Sequence, residues 1–243
     1  MRRIRLYVDI ALAAGQSITL SEATANHAVR VLRLREGDAV TLFNGDGFDY
    51  VGTISLGKRD ARVHLNSVDV VTNESPLAIT LVQAIARGEK MDLILQKATE
   101  LGVVKIVPVI SDRTEVKLDE DRADKRILHW QRVLEAACEQ CGRAQIPEVE
   151  SPSTLERAAR LFANANDTKL VLHPDGGRPL SQVDCGDAAT IAIGPEGGFS
   201  ERDLAIFDQA GFVRITLGPR VLRTETAGLA AIAALQTRFG DFG

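Results

Sequence analysis

Residues 77–110 read LAITLVQAIARGEKMDLILQKATELGVVKIVPVI, and this stretch decides the fold. Its first nine residues form a continuous apolar run of the kind found in strands buried on both faces. The following EKMDLILQKATELG has helical spacing and ends on Gly102, a residue suited to a helix C-terminus. VKIVPVI then reads as a second strand. A strand, helix and strand joined by short turns make a right-handed parallel crossover in nearly all cases, which predicts an α/β domain with a mostly parallel sheet.

Toward the C-terminus the alternation continues. A long helix is expected around RILHWQRVLEAACEQC and another from a Ser153 cap with Glu156 three residues on. TKLVLH, ATIAIG and FVRITLG read as strands, and SERDLAIFDQAG and TETAGLAAIAALQTRF as helices. Toward the N-terminus the polar segment from Asn73 to Pro76 is the expected boundary, giving domains 1–72 and 73–243. Before it, IRLYVD, AVTLF, FDYVGTI and ARVHLNSVDVV carry β-branched and aromatic residues separated by turns such as Asn44-Gly45-Asp46-Gly47. A small β-barrel is the natural closure. A helix from Ser21 to Leu32 interrupts it, with Ser21 or Thr24 as cap and Ala28, Val29 and Leu32 on one face.

Composition narrows the function. At 243 residues, 45% hydrophobic and 26% charged, the chain belongs with globular proteins. It has no apolar run of about 18 residues and no signal-peptide core in MRRIRLYVDI, so a cytoplasmic protein without a membrane partner is expected. Cys138, Cys141 and Cys185 read as reduced thiols, and Cys138-x-x-Cys141 on a helix reads as packing. His27, His64, His129 and His173 lack metal-ligand spacing, so no metal is expected. The net charge is −4, yet residues 1–35 hold six arginines (Arg2, Arg3, Arg5, Arg30, Arg33 and Arg35) against Asp9 and Glu22. Such a cluster is either a solvated face or a phosphate-binding patch. The chain has no dinucleotide fingerprint, Walker A sequence or nucleophile elbow.

Ligands of open parallel sheets sit beyond the carboxyl ends of the strands, which points to three loops. These are His173-Pro174-Asp175-Gly176-Gly177, Gly194-Pro195-Glu196-Gly197-Gly198-Phe199-Ser200 and Gly218-Pro219-Arg220-Val221-Leu222-Arg223-Thr224. In the second, Gly197 and Gly198 permit close backbone approach, and Ser200 with Asp203 forms a capping box. The third adds Arg220, Arg223 and Glu225, charged groups that need partners or work when set beside a buried sheet.

GPEGGFS, LGPRVLRTETA, EQCGR, RGEKMDLILQKATELGV and HAVRVLRLREGDAVTLFNGDG together closely resemble the bacterial 16S ribosomal RNA (uracil-N3)-methyltransferases of the SPOUT superfamily. The resemblance spans nearly the whole chain. It implies an N-terminal PUA-like β-barrel that engages RNA, a trefoil-knotted methyltransferase domain and a homodimer packed through the knot. It implies S-adenosylmethionine as cofactor, at Leu172, His173 and Pro174, at Ile193, Gly194, Pro195, Glu196, Gly197 and Gly198, and at Leu217, Gly218, Arg220, Val221, Leu222, Arg223, Thr224 and Ala227. The partner is 16S ribosomal RNA or the small subunit.

Uracil N3 loses a proton on methylation, leaving negative charge over N3, O2 and O4. Arg223 is the expected stabiliser of that charge. Glu225, Glu196 and Glu139 are candidate proton acceptors, among which the sequence does not choose. Arg30, Arg33, Arg35, Arg87, Lys90, Arg113 and Arg143 are the candidate RNA contacts. Two other readings are a knotted methyltransferase with another target atom, such as a ribose 2′-hydroxyl, and a non-catalytic RNA-binding or assembly factor. The first usually shows an Asn-x-Gly…Arg motif where this chain has QKATELGV.

Overall fold

A computed structural model describes residues 4–57, 60–116, 120–162, 165–175 and 177–243, so Arg2, Arg3 and Gly176 lie outside the described residues. The chain divides into two compact units, one of residues 1–74 with 138–146, the other of residues 75–137 with 147–243. The sequence boundary after residue 72 left out the return of residues 138–146 to the first unit. Such a return leaves no mark in local periodicity, because it is a tertiary contact.

The first unit contains β1 (Arg5–Tyr7), β2 (Ser17–Thr19), α1 (Glu22–Asn26), a π-helical turn (His27–Val31), β3 (Ala39–Phe43), β4 (Phe48–Leu56) and β5 (Ala61–Val70). Its five-stranded sheet has the order β1-β3-β4-β5-β2. The β1–β3 pair is parallel and the others are antiparallel. The hydrogen-bonded path runs from β1 to β2 as two ends. Leu6 of β1 and Ile18 of β2 nevertheless share one core with Val40, Leu42, Ile54 and Val63, the arrangement a rolled sheet produces. The β3–β4 turn is the predicted Asn-Gly-Asp-Gly: Gly45 and Gly47 take φ of 93° and 92°, and the Asp46 carboxylate accepts from the Phe48 amide at 3.0 Å.

Ser21, rather than Thr24, caps the helix, accepting from the Thr24 amide. The single helix expected to Leu32 changes to a π turn at His27, which rotates the apolar face. Ala28 is buried, whereas Val29 is 39% exposed. In β4, Gly52 sits at a bulge, and a Cβ there would lie 2.5 Å from the His64 carbonyl oxygen of β5. Gly52→Ala is expected to destabilise the protein by about 1–3 kcal/mol, because the obstructing atom is backbone and must shift the ladder. Urea unfolding followed by far-UV dichroism measures this, and an unchanged midpoint would show that the bulge yields freely.

The second unit contains β6 (Ala78–Ala84), α2 (Glu89–Glu100), β7 (Val103–Ile110), α3 (Glu120–Cys141, whose last turn belongs to the first unit), β8 (Glu148–Val149), β9 (Ser153–Thr154) and α4 (Leu155–Phe162). It continues with β10 (Thr168–Leu172), β11 (Arg178–Pro179), a 3-10 turn (Leu180–Gln182), β12 (Ala188–Ile193), α5 (Glu201–Gln209), β13 (Val213–Thr216) and α6 (Thr224–Phe239). The sheet order is β11-β13-β10-β12-β6-β7-β8, with β9 also on β7, and every described pairing is parallel. Thr154 caps α4, accepting from the Arg157 amide at 3.4 Å, while the expected cap Ser153 pairs with Val109 as strand.

One sheet face is sealed by α4 and α5. Val82, Val107, Val171 and Ala192 from four strands meet Leu155, Phe162, Leu204 and Phe207. Phe207 stands 4.9 Å from both Phe199 and Phe212, ring centre to ring centre. On α6, a Cβ at Gly228 would stand 3.4 Å from Ile193 of β12, so a small residue sits where helix meets sheet. Because the strands run parallel, the loops after β10, β12 and β13 open at the same edge, with the start of α6 beside them.

Candidate active site

At that edge lies a cleft of about 510 Å³, within the range of small-molecule sites. Leu172, His173 and Pro174 line it, as do Ile193, Gly194, Pro195, Glu196, Gly197 and Gly198. Leu217, Gly218, Arg220, Val221, Leu222, Arg223, Thr224 and Ala227 complete the set anticipated from the sequence. The structure thus brings all of these residues to one cleft. It adds Lys90, Arg113, Asp175 and Phe199.

Side-chain bonds hold the 194–198 loop from three directions. The Thr224 hydroxyl donates to the Gly194 carbonyl at 2.6 Å and accepts from the buried Gln83 amide at 3.1 Å, tying β6, β12 and α6 together. On the far side, Ser200 and Asp203 form the predicted capping box of α5. The Ser200 hydroxyl also donates to Asp112 at 2.7 Å, and the Asp112 amide donates to Asp203 at 3.2 Å. The turn after β7 is therefore anchored to the start of α5. From it Arg113 donates to the Gly197 carbonyl at 2.9 Å, while a Cβ at Gly197 would meet the Arg113 Cβ at 3.3 Å. Glycine at 197 leaves room for that side chain to lie across the loop.

The third anchor is Glu196. Its Oε1 accepts from the Arg87 amide and the Lys90 ammonium, both at 3.2 Å. Gly88, the N-cap residue of α2, has no side chain to cap the helix, and Glu196 brings a carboxylate to that helix end instead. Burial pushes the Glu196 carboxyl up, but its own amide, the Arg87 amide and Lys90 outweigh this and hold it below the usual carboxylate range. A carboxyl lowered in the folded state adds stability above its unfolded value and loses it as pH falls through the folded value. Glu196→Gln is accordingly expected to reduce the difference in thermal midpoint between neutral and mildly acidic buffer. An unaltered difference would mean that Glu196 contributes nothing to the acid-side slope.

Glu225 lies just behind the cleft wall, 16% exposed, with Oε2 at 3.7 Å from Lys90 Nζ. That oxygen is buried and has no hydrogen-bond partner. Arg223 is exposed on the cleft, and among the described residues no salt bridge or side-chain hydrogen bond engages it. The simple alternative, an Arg223–Glu225 pair, is not what the structure contains, since Glu225 faces Lys90.

The remaining expected site residues are placed elsewhere. Glu139 belongs to the first unit, where it accepts from the Tyr7 amide at 2.9 Å and burial raises its carboxyl. It does not line the cleft. Arg143, expected at an RNA surface, is 4% exposed and paired with Glu74 at 2.7 Å, so its guanidinium serves the interior of the first unit. This corrects the surface role. Arg30, Arg33 and Arg35 are exposed, and Arg33 has a positive φ of 58° just beyond the π turn. Arg87 is exposed and paired with Glu115. Sequence reasoning passed over Gln83 and gave Lys90 only a surface role. The strand-end rule applied to the three later loops would have flagged RGEK after β6 as well, and a glutamine inside an apolar strand is itself a signal.

A second hollow of about 550 Å³ adjoins the cleft, sharing Leu217, Gly218, Arg220 and Leu222 and walled by Leu180, Ala230 and Ala234. Among the described residues no helix is long and apolar enough to cross a membrane, and no group of three or more metal-ligating side chains comes together.

Comparison with known proteins agrees with this organisation. The family profile described as "RNA methyltransferase domain" matches residues 73–236, and that of "RNA methyltransferase PUA domain" matches residues 20–65. The ribosomal RNA small subunit methyltransferase E of Buchnera aphidicola from Schizaphis graminum is 35% identical, over 98% of this chain and 97% of its own. That of Bacillus subtilis is 30% identical over 90% and 88%. Among solved structures, a Legionella pneumophila methyltransferase in complex with S-adenosylmethionine superposes with a TM-score of 0.94 at 40% identity, covering 99% and 100% of the two chains. The Neisseria gonorrhoeae ribosomal RNA small subunit methyltransferase E, bound to S-adenosylmethionine, gives 0.91 at 39% identity with both chains fully covered. By sequence along its whole length and by fold, the chain belongs to the RNA methyltransferase family that includes the ribosomal RNA small subunit methyltransferases E, with a PUA domain preceding the α/β domain.

Proposed function

We propose that the protein transfers a methyl group from S-adenosylmethionine to N3 of a uridine in 16S ribosomal RNA of the small subunit. The observation that carries this reading is the convergence of three strand-end loops on one cleft that also holds an uncompensated arginine, Arg223. The residues present suit the cofactor. Ile193, Leu217, Leu222 and Ala227 offer apolar walls for an adenine, glycine-rich backbone lies close by to read its edge, and Asp175 and Glu196 set negative charge near a sulfonium. When bound, the cofactor supplies an activated methyl group, so the protein's task is alignment and charge management.

Arg223 then compensates the negative charge that develops on the uracil carbonyls. Of the three carboxylates considered, Glu225 suits proton acceptance best: Glu139 lies in the first unit and Glu196 is committed to the start of α2, whereas Glu225 keeps a buried oxygen without a hydrogen bond. N3 is hidden in a Watson–Crick pair, so the uridine enters unpaired or extruded. Arg30, Arg33 and Arg35 on the PUA domain, with Arg87 and Arg113, contact RNA in this reading. The last segment is knotted as the family resemblance implies, and the apolar hollow beside the cleft receives a second copy of the chain, giving a cytoplasmic homodimer.

Mass spectrometry of nucleosides from small-subunit RNA, with and without the gene, tests the assignment. Loss of 3-methyluridine on deletion is the expected outcome. Its persistence would rule the assignment out, and cofactor binding without transfer to assembled subunits would favour a non-catalytic assembly role.

A further inference from the structure

Lys90, Glu196 and Glu225 form a charge cluster at the cleft that the cofactor-binding loops alone do not explain. One ammonium is shared by two carboxylates, with Lys90 Nζ at 3.2 Å from Glu196 Oε1 and 3.7 Å from Glu225 Oε2. Only the first is hydrogen-bond distance. Lys90 is 36% exposed in its side chain and lines the cleft, Glu196 is held by the Arg87 amide as well, and the inner oxygen of Glu225 has no donor. A buried carboxylate oxygen left without a donor costs free energy unless a ligand supplies one. The other charged side chains lining the cleft are Arg113, Asp175, Arg220 and Arg223, while Arg87 is paired with Glu115.

We propose that Lys90 is a catalytic residue, rather than a phosphate contact, holding the negative charge on one of the two uracil carbonyls that flank N3 while Glu225 takes the N3 proton. The inference rests on the uracil-N3 reading above. The cluster has one more carboxylate than ammonium, so it stands at −1 before the reaction, and one proton received by Glu225 brings it to neutrality. The electron pair of the N3–H bond stays on nitrogen as the proton moves to the Glu225 carboxylate, and that nitrogen pair would form the new N–C bond as the methyl–sulfur bond breaks with its electron pair kept by sulfur, which leaves as the neutral thioether S-adenosylhomocysteine. The proton later returns to solvent. Lys90 remains fixed to Glu196 throughout, so its charge is positioned beforehand instead of being reorganised during the step. A lysine serving as an RNA clamp would need no buried carboxylate behind it.

The test uses full-length protein and small subunits purified from cells lacking the gene. Single-turnover methyl transfer is followed beside S-adenosylhomocysteine affinity by calorimetry and subunit affinity across a salt series. Lys90→Met is expected to slow transfer by about 100-fold, with both affinities within about threefold and the salt slope unchanged, and Lys90→Arg to recover part of the rate. Arg30→Ala is the contrast: it is expected to weaken subunit binding and reduce the salt slope by about one unit. If Lys90→Met behaves as Arg30→Ala does, or loses cofactor affinity or thermal midpoint in step with rate, the catalytic role is overturned. Glu225→Gln is expected to be slow at neutral pH and to regain rate in alkaline buffer, where the base has already lost its proton; a deficit independent of pH would remove Glu225 as acceptor. Should the wild-type protein make no 3-methyluridine in the same assay, the underlying reading fails instead.

Discussion

Replacing Asp49 by alanine is expected to remove about 3–5 kcal/mol of folding stability, because it strands a buried guanidinium. Arg5 of β1 is 6% exposed in its side chain and binds Asp49 of β4 through Nη2 at 2.6 Å and Nε at 3.2 Å. Its Nη1 donates to the carbonyls of Cys138 at 2.7 Å and Arg143 at 3.1 Å, satisfying the end of α3. The guanidinium also stands 4.3 Å from the Phe43 ring centre. One side chain therefore joins the edge strand, the central strand and the returning segment 138–146 of the first unit. Urea denaturation of Asp49→Ala measures the loss. The double replacement Arg5→Met with Asp49→Leu is expected to recover a large part of it, since an apolar pair leaves no buried charge. If the single and double variants were equally unstable, the loss would reflect packing rather than an uncompensated charge.

The same pair shows where the sequence stopped being legible. Arg5 read as one of six arginines in a basic N-terminal stretch, and Arg143 as an RNA contact in EQCGR. Both are interior, and their carboxylate partners stand 44 and 69 residues away in sequence. Local composition registers charge without registering what neutralises it. Strand and helix alternation, by contrast, depends on which faces are buried, so 77–110 announced its crossover, and the GPEGGFS capping box was visible because Ser200 and Asp203 interact across one helical turn. The three later loops were found because parallel strands must end at a common edge. Lys90 was given the wrong surroundings for the reason Arg143 was: its carboxylates come from the β12–α5 loop and from α6. The π turn at His27 was also invisible, since it follows from how the first unit packs and not from an interruption in the sequence.

Arg223→Ala is expected to slow methyl transfer by about 100- to 1000-fold at saturating substrates, the cost of deleting one preorganised charge-stabilising donor. The variant tests chemistry cleanly because the backbone role of Arg223 survives it. Arg223 is the N-cap of α6, with φ −67° and ψ 155°, and its side chain makes no capping bond. Its carbonyl accepts from the Thr226 and Ala227 amides at 2.9 and 2.8 Å, bonds that alanine retains. The adjoining Thr224 tether to the Gly194 carbonyl at 2.6 Å is likewise untouched. S-adenosylhomocysteine affinity and thermal midpoint are therefore expected to hold while the rate falls. Arg223→Lys restores the charge but loses the planar fork, and is expected to recover only part of the rate. Arg220→Ala, an exposed arginine on the same cleft, controls for the general positive potential. Equal losses for Arg220→Ala and Arg223→Ala would reduce both to field effects, and full turnover in Arg223→Ala would exclude it from the reaction.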